Sequence, residues 1–281
     1  MLINAILKIG GHMKYIEDKN KRYEKDIIKH LRAHNNVFVG NRRSGSSYFY
    51  ALKNKTVIGR LHNSLFWDWV SLNDIFYEDL ACLSSLLDKV SHYYDDYIGL
   101  KHYTDKKSDE KSLIKLGFEI GGYTASTPKT PTYTYLKSLN RNFKVDEDLD
   151  IICSKNILDQ YEPHKKQANK SHTSHVYFVA LDKTSFAGGI HAIIEEDSMY
   201  ISRLAIPPDY KKQGIGTKLM RLAEERAYEL GLYNITTGTC SFQAKDFYEK
   251  LGYKILFTKE NDPKGYDSYS LEKKLQKEQN D

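Results

Sequence analysis

An internal repeat constrains the fold of this sequence more than any other feature. LIKLGFEI at 113–120 matches YEKLGYKI at 248–255, and a tyrosine-rich strand pattern follows each motif further along the chain. An apolar run, a polar turn and a glycine-bearing strand precede each motif, at 48–61 and 176–190. Self-similarity of this kind is the signature of a repeated structural unit. The sequence therefore predicts two copies of one plan.

The predicted domain boundaries follow from this repeat. Residues 140–149, NRNFKVDEDL, are polar and charged, so we place a linker at 141–149, one domain at 13–140 and the other at 150–281. Residues 1–12 begin with a short apolar run that has no preceding charge and no cleavage motif, and they end before a second methionine. We interpret them as a start-site artefact or a tail.

The second half reads as strands alternating with helices after an antiparallel start, which predicts a mixed α/β sheet. The predicted strands are 150–153, 175–182, 186–195, 198–206, 233–240, 252–259 and 267–274, and the predicted helices are 155–168, 215–230 and 242–250. The helix at 215–230 has the clearest pattern, because its apolar residues recur at spacings of three and four and Gly231 stands where a C′ glycine belongs. Those apolar residues are Leu219, Met220, Ala223, Ala227 and Leu230.

The stretch PPDYKKQGIGTKL at 207–219 joins the strand ending near Ile206 to this helix. Gly214 and Gly216 let backbone N–H groups approach a ligand closely. The helix start adds unpaired N–H groups and the positive end of its dipole, so the turn suits a pyrophosphate. A Walker-type loop fails because no Gly-Lys-Ser/Thr occurs here. A dinucleotide fingerprint fails because Leu219 stands at its third glycine.

The segment KKQGIG at 211–216 resembles the Arg/Gln-x-x-Gly-x-Gly/Ala loop of the GNAT superfamily of acyl-CoA N-acyltransferases, with lysine at the first position. The flanking segments MYISRLAI and TGTCSFQAKDFYEKLGYKI also resemble that family, and the resemblance covers about residues 150–275. It implies two tandem GNAT-like folds of the α/β (α+β mixed sheet) class and an N-acetyltransferase. The acetyl group would pass from acetyl-CoA to a primary amine of a small molecule or a protein. The positions that the resemblance assigns to coenzyme A are Leu204, Ala205, Ile206, Lys211, Lys212, Gln213, Gly214, Ile215, Gly216, Thr217, Lys218, Ser241, Ala244 and Tyr248.

The resemblance also implies catalytic roles. Tyr248 occupies the tyrosine of the family's FYEKLG pattern and would protonate the leaving thiolate. Backbone groups of residues 204–206 would pair with pantetheine where the fourth strand diverges from the fifth, and Ser241 would contact it. The general base stays open between Tyr200 in the strand, Glu195 at the preceding turn and an ordered water. Further candidates nearby are Ser202, Glu196 and Asp197.

The first half has no counterpart of the glycine loop. Between its strand at 66–72 and its helix at 78–91 the chain reads SLNDIFYEDL, which has no glycine and whose acids would repel a pyrophosphate. These acids are Asp74, Glu78 and Asp79. We expect this half to brace the catalytic half or to shape its acceptor cleft, and the FWDW at 66–69 to be core. A non-catalytic acyl-CoA-binding or sensor protein on the same fold is the alternative function.

Composition argues against several other classes. The 42 basic and 37 acidic residues give a net charge of only +5 without a basic stripe, so we expect no nucleic-acid partner. No apolar run approaches the length of a membrane span. Three separated cysteines suggest neither disulfides nor zinc, which favours a cytoplasmic protein. No acid or cysteine completes a metal site with His164, His172 and His175 in their predicted loop. We expect a monomer or a homodimer.

Overall fold

The computed structural model describes residues 13–40, 44–104, 107–125, 131–138, 147–154, 173–195 and 197–275. The interpretations of residues 1–12, of the helix at 155–168, and of His164, His172 and Glu196 lie outside this part of the chain. The strands are β1 (Met13–Glu17), β2 (Ser46–Lys53), β3 (Thr56–Phe66), β4 (Trp69–Tyr77), β5 (Gly99–Thr104), β6 (Glu119–Ala125), β7 (Pro131–Ser138), β8 (Asp150–Ser154), β9 (Ser174–Asp182), β10 (Ser185–Glu195), β11 (Ser198–Ala205), β12 (Asn234–Cys240), β13 (Lys254–Lys259) and β14 (Ser268–Lys274). The helices are α1 (Glu24–Val39), α2 (Leu80–Tyr93), α3 (Lys107–Lys115), α4 (Ile215–Glu229) and α5 (Lys245–Lys250).

The strands form two seven-stranded mixed sheets with one topology, which confirms the mixed α/β class. The first sheet has the order β8-β2-β3-β4-β5-β7-β6, and the second has the order β1-β9-β10-β11-β12-β14-β13. In each sheet the fourth and fifth strands run parallel. The other neighbouring pairs are antiparallel.

β-bulges interrupt the pairing at matching places in the two sheets. The extra residues are Ile58 in β3 and Ala187 in β10, Asn73 in β4 and Ser202 in β11, and Gly121 in β6 and Leu256 in β13. A bulge leaves one residue unpaired and bends its strand. Equal bulges at equal positions therefore give the two sheets the same local shape.

Each sheet takes its first edge strand from the other half of the sequence. β1 pairs with β9 of the second sheet, and α1 packs on that sheet through Ile27, which is fully buried against Tyr177 and Ala205. β8, predicted to open the second half, pairs instead with β2 of the first sheet. The predicted boundary at 141–149 thus does not separate the sheets. The physical reason is that a short edge strand carries no local signal for which of two similar sheets it joins.

The second sheet and α4 match the predicted elements closely, since the predicted and observed strand ends differ by two residues at most. The apolar stripe of α4 is buried at Leu219, Met220, Ala223 and Ala227, with Ile215 added at its start. Leu230 was predicted to belong to this stripe, but it is 51% exposed because the helix ends at Glu229. Gly231 has φ +68°, and the amides of Gly231 and Leu232 bond to the carbonyls of Tyr228 and Ala227, respectively. This is a Schellman ending, as the C′ glycine predicted.

The FWDW segment lies where the first sheet contacts the second half, so the prediction of a simple core segment is wrong. Trp69 is buried, and the Lys259 ammonium lies 4.9 Å from the centre of its ring. The Trp67 ring lies 6.2 Å from that of Phe242, and the Asp68 carboxylate accepts a 2.7 Å hydrogen bond from the backbone N–H of Lys264. The segment is a tight turn between β3 and β4, and its tip projects toward the second half. None of the described helices is long and apolar enough to cross a membrane.

Candidate active site

A cleft opens in the second sheet where β11 and β12 separate. Their parallel pairing runs from Ser198 with Asn234 to Ile201 with Thr237 and then ends. Beyond that point β11 remains paired with β10, and β12 with β14. The Thr237 hydroxyl donates a 3.2 Å hydrogen bond to the Ile201 carbonyl at the last paired position. The divergence predicted from the resemblance is therefore present, and it exposes one edge of residues 202–205 to a ligand.

The glycine loop follows directly from β11 and ends at the start of α4. Gly214 is the N-cap of α4 with φ +77°, no side chain caps the helix, and a Cβ placed on this residue would meet no heavy atom within 4 Å. The Gln213 amide is turned back to donate to the Asp209 carbonyl. Open space in front of uncapped helix N–H groups is the geometry of an anion site. The loop therefore fits a pyrophosphate.

The other predicted loop residues surround this space in different ways. Ile215 is buried in the core, while Lys211 and Lys212 are exposed and Thr217 and Lys218 are half-buried. Gly216 faces α5, since a Cβ there would lie 3.4 Å from the ring of Phe247. The loop and α5 are thus in contact, and this contact places Tyr248 on the same side of the sheet as the loop.

Tyr248 is 6% exposed and lies at the point where the strands separate. Burial raises the pKa of Tyr248 to about 12, the side-chain hydrogen bond with Thr237 acts in the opposite direction, and Tyr200 raises it further. Thr237 thus contacts both the Tyr248 hydroxyl and the last paired carbonyl of β11. Because this pKa is far above neutrality, Tyr248 keeps its proton and can donate it within the cleft.

The two candidates for the base stand apart from one another. Tyr200 is 44% exposed, yet its hydroxyl lies 3.8 Å from the place of a Cβ on Gly238, and burial raises its pKa. Glu195 is exposed at the end of β10, opposite Ser198. From there to Ser202 is about 14 Å along an extended strand. The structure therefore brings Tyr200 to the cleft and does not bring Glu195.

Ser241 and Ala244 lie in the turn between β12 and α5. Ser241 exchanges two hydrogen bonds with the backbone of Asp267, and its hydroxyl accepts one of them at 3.2 Å. Ala244 is the N-cap of α5, and its amide donates to the Thr239 hydroxyl. Both residues are near the end of β12 and are held by backbone contacts.

Helix α1 also borders the cleft, which the sequence did not reveal. The Asn35 side chain accepts a 2.8 Å hydrogen bond from Gln243, and Phe38 stacks on Phe242 with ring centres 5.0 Å apart. His34 lies near Lys211, whose charge lowers its pKa after the larger effect of burial. Helix α1 therefore contributes directly to the surroundings of the site.

A polar row on the face of the sheet that α1 covers was also missed. Arg203 donates to Nδ1 of His191 at 3.0 Å, and Nε2 of His191 lies 3.0 Å from Nδ1 of His175. Tyr177 stacks on His191 at 4.4 Å. His175 therefore lies in β9, as the predicted strand at 175–182 has it, and not in the loop to which it was also assigned. The described residues contain no cluster suited to a metal ion. The simple alternation of side chains does not reveal this row, because the bulge at Ser202 shifts Arg203 relative to it.

The first sheet has the same strand separation without the same chemistry. The pairing of β4 with β5 ends at Leu72 and His102. The Asp79 side chain caps α2 by accepting a 2.8 Å hydrogen bond from the Cys82 N–H. It thus occupies the helix start of the first half, whereas the equivalent helix start at Gly214 in the second half is open. Of the other predicted acids, Asp74 lies within β4, where it pairs with Arg60.

The counterpart of Tyr248 in the first half is Leu113. The amide of Phe118 bonds to the Leu113 carbonyl at 3.0 Å, as that of Tyr253 bonds to the Tyr248 carbonyl at 3.1 Å. Both bonds close the same Leu-Gly turn at the end of α3 and α5. The described residues of the first half thus offer no phenol at this position.

The chain is similar to several known acetyltransferases. Residues 144–253 match the model of the Acetyltransferase (GNAT) family. Blasticidin-S acetyltransferase of Streptomyces morookaense is 28% identical over 95 residues, which is 34% of this chain and 70% of that protein. A Bacillus cereus acetyltransferase structure has 26% identity and a TM-score of 0.36, covering 41% of this chain and 83% of its own. A Thermoplasma acidophilum PaiA N-acetyltransferase structure in complex with coenzyme A has 25% identity and a TM-score of 0.31. The match covers 36% of this chain and 61% of that protein.

The family match confirms the sequence-based prediction of an acetyltransferase and of acetyl-CoA as its cofactor. It covers the separating strands, the glycine loop, α4 and Tyr248 together. Residues 144–253 of this chain therefore resemble a GNAT-family acetyltransferase domain.

Proposed function

We propose that this protein is an N-acetyltransferase that transfers the acetyl group of acetyl-CoA to a primary amine of a small molecule or a protein. The observation that carries the proposal is the position of the Tyr248 hydroxyl beside Thr237 of β12, at the point where β11 separates from β12 and continues toward the open loop at Gly214. A donor, a binding edge and an anion site thus converge on one cleft. The name of the Streptomyces relative supports a small-molecule acceptor.

Each part of the cleft has one task in this reaction. When bound, acetyl-CoA supplies a thioester, so the new C–N bond forms as the C–S bond breaks. The loop around Gly214 and Gly216 would hold the pyrophosphate, and the backbone of residues 204–206 would hold the pantetheine amides. Tyr248 donates toward the sulfur that takes up negative charge. A thiol has a reference pKa of about 8.5, so Tyr248, at about 12, stabilises this sulfur mainly through its hydrogen bond.

Tyr200 suits a donor or a positioning group better than a base, because its raised pKa keeps it protonated. Glu195 lies about four strand residues from the start of the cleft, which is too far for it to take a proton from the amine directly. We therefore assign proton removal from the amine to solvent in the cleft. Ser241 and Ala244 line the route of the pantetheine at the end of β12.

We further infer that the two halves are tandem copies of one fold and that the first copy has lost its coenzyme site. The shared strand order and matching bulges support the duplication. Asp79 at the start of α2 and Leu113 in place of a tyrosine support the loss. The exchange of β1 and β8 ties the two copies together, so neither half is expected to fold fully alone.

The first test separates the enzyme from a non-catalytic binding protein. Acetyl-CoA at 100 times its Kd should stabilise the full chain by about 2.7 kcal/mol, seen as a rise in Tm. Thiol release should then follow when amines from a broad panel are added. An unchanged Tm contradicts coenzyme binding, and a raised Tm without turnover on any amine supports the sensor.

Replacement of Tyr248 by phenylalanine should lower kcat by about 100-fold, because the donor to the sulfur is lost while the buried ring remains. The Kd of acetyl-CoA should stay within a factor of two to three. Tyr253→Phe is the matched control, since it removes a second buried phenol whose ring centre lies 5.8 Å from that of Tyr248. Equal losses of kcat in both variants, measured by stopped-flow thiol release, would argue against a specific role for Tyr248.

A further inference from the structure

The cleft beside β11 is enclosed by both halves of the molecule. Tyr103, from β5 of the first sheet, is 49% exposed, and Tyr200 is 44% exposed. Burial nevertheless raises the pKa of each phenol, and Tyr200 contributes to the shift of Tyr103. An acceptor bound beside β11 would therefore lie near one tyrosine from each half.

Arg203 shares this cleft face with Tyr200. The bulge at Ser202 places Tyr200 opposite Ile193 and Arg203 opposite His191, which are two residues apart on β10. Residues two apart on a strand point to the same face. Arg203 also lies in the segment of β11 that has separated from β12. Its guanidinium is therefore next to the cleft, about 7 Å along the strand from Tyr200.

The charge of Arg203 has no ion-pair partner within the described part of the chain. The other half-buried arginines of the described residues are compensated: Arg60 pairs with Asp74, and Arg226 pairs with Glu17 at 3.0 Å. Glu24, a carboxylate near the row, instead accepts a 3.0 Å hydrogen bond from the Tyr177 hydroxyl. A half-buried cation without an anion is unfavourable. An anionic ligand would remove that cost.

The neighbouring histidines fix the orientation of Arg203. A guanidinium can only donate, so Nδ1 of His191 must accept and its proton must be on Nε2, which then donates to His175. Burial, the charge of Arg203 and His175 together lower the pKa of His191 to about 4. His191 is therefore neutral at physiological pH and keeps accepting from Arg203. This bond uses one of the five donors of the guanidinium and leaves a prearranged fork for a carboxylate.

We propose that Arg203 binds a carboxylate of the acceptor, so that the preferred substrate is an amine carrying a carboxylate a few bonds from its nitrogen. The nitrogen would lie at the separation of β11 and β12, and the carboxylate would lie on Arg203. Tyr103 and Tyr200 would enclose the body of the molecule. This inference rests on the proposed function and narrows it to a substrate class.

The test uses pairs of amines that differ only in the carboxylate: tyrosine with tyramine, lysine with cadaverine, and glutamate with 4-aminobutyrate as a pair that keeps one remote carboxylate. The wild-type enzyme should favour the α-carboxylate member of at least one of the first two pairs by 10-fold or more in kcat/KM. Arg203→Gln should raise KM for that member 10- to 100-fold, leave its kcat within a factor of two to three and leave its partner unchanged. Arg203→Lys should keep part of the preference.

Arg226→Gln is the control, because Arg226 is paired with Glu17 and Glu229 on the outer side of α4. A merely structural role for Arg203 predicts a lower Tm and equal losses for both members of a pair. Equal use of both members by the wild-type enzyme, or equal losses in Arg203→Gln, overturns the proposal.

A binding measurement keeps this result separate from the proposed function. Calorimetric titration of the coenzyme A-saturated protein with N-acetyltyrosine and N-acetyltyramine compares the two products without turnover. A preference of 10-fold or more for N-acetyltyrosine that disappears in Arg203→Gln supports the carboxylate site even if no amine is acetylated. No preference in this titration or in the kinetic pairs overturns the site, whereas a Tm unaffected by acetyl-CoA contradicts the proposed function.

Discussion

Replacement of Gly214 by aspartate should abolish acetyl-CoA binding, whereas asparagine at the same position should preserve most of it. Gly214 has φ +77°, a region that asparagine and aspartate tolerate better than other side chains. The added Cβ would enter the open space before α4, where no heavy atom lies within 4 Å. Both substitutions therefore leave the loop able to form. Aspartate alone places a negative charge where the pyrophosphate binds, and a like-charge contact costs several kcal/mol.

The expected Kd for acetyl-CoA rises by about 100-fold or more in Gly214→Asp and by less than about 10-fold in Gly214→Asn. Stability should not fall in parallel, because a carboxylate at a helix N-terminus interacts favourably with the helix dipole. Calorimetry for the Kd and thermal unfolding of the ligand-free proteins measure the two effects separately. If both variants lose affinity equally, the loss comes from shape, and the loop is not an anion site.

The parts of this site that follow from the sequence are those encoded over short distances. The strand ending before Pro207, the two glycines and the periodic stripe of α4 are local signals, and each appears in the structure within a few residues of its predicted place. Tyr248 lies on the helix that follows β12 in the sequence. The local motif around Tyr248 was therefore enough to predict its position. Local patterns were sufficient here because one continuous stretch builds the loop, the helix and the donor.

The parts that could not be predicted depend on pairing between distant segments. Nothing in MKYIE indicates that β1 pairs with β9, more than 150 residues later, and nothing in DIICS indicates that β8 joins β2. Each is a short edge strand facing one of two sheets with the same order, so its choice is made by tertiary packing. Arg203 was missed for a related reason. Its partners, His191 and His175, lie on separate strands, and the bulge at Ser202 alters the simple alternation along β11.

The contact between the halves contains a buried group of charged residues in which positive charges outnumber negative ones. Lys101 of β5 and Lys259 of β13 are 2% and 6% exposed, and Lys259 forms an ion pair with Asp262, which is 3% exposed. The Lys101 ammonium lies 4.3 Å from the centre of the Phe66 ring. Two lysines thus face one carboxylate. Burial is the largest cause that lowers the pKa of Lys101 to about 7, Lys259 lowers it further, and Asp262 and Cys240 oppose the shift.

This pKa makes the stability of the molecule depend on pH in a defined direction. Lys101 has a pKa of about 7 when folded and 10.5 as its ordinary value, so the unfolded chain binds more protons between these values. Stability should therefore rise with pH from about 7 to about 10.5 and should be level below about 7 as far as Lys101 is concerned. Because one pKa unit corresponds to 1.36 kcal/mol, the full penalty at low pH is about 5 kcal/mol.

Lys101→Met should therefore stabilise the protein, and the gain should depend on pH. Methionine keeps the unbranched apolar stem against Phe66 and removes the charge that has no carboxylate of its own. From the two pKa values, the gain should be about 5 kcal/mol at pH 6.5 and about 1 kcal/mol at pH 9.5. Denaturant unfolding of wild type and variant at both pH values measures it. The exposed Lys89 of α2 supplies the control Lys89→Met, which should change stability little at either pH. A gain of equal size at both pH values, or a loss at both, would mean that Lys101 is compensated at the interface and that Asp262 serves both lysines.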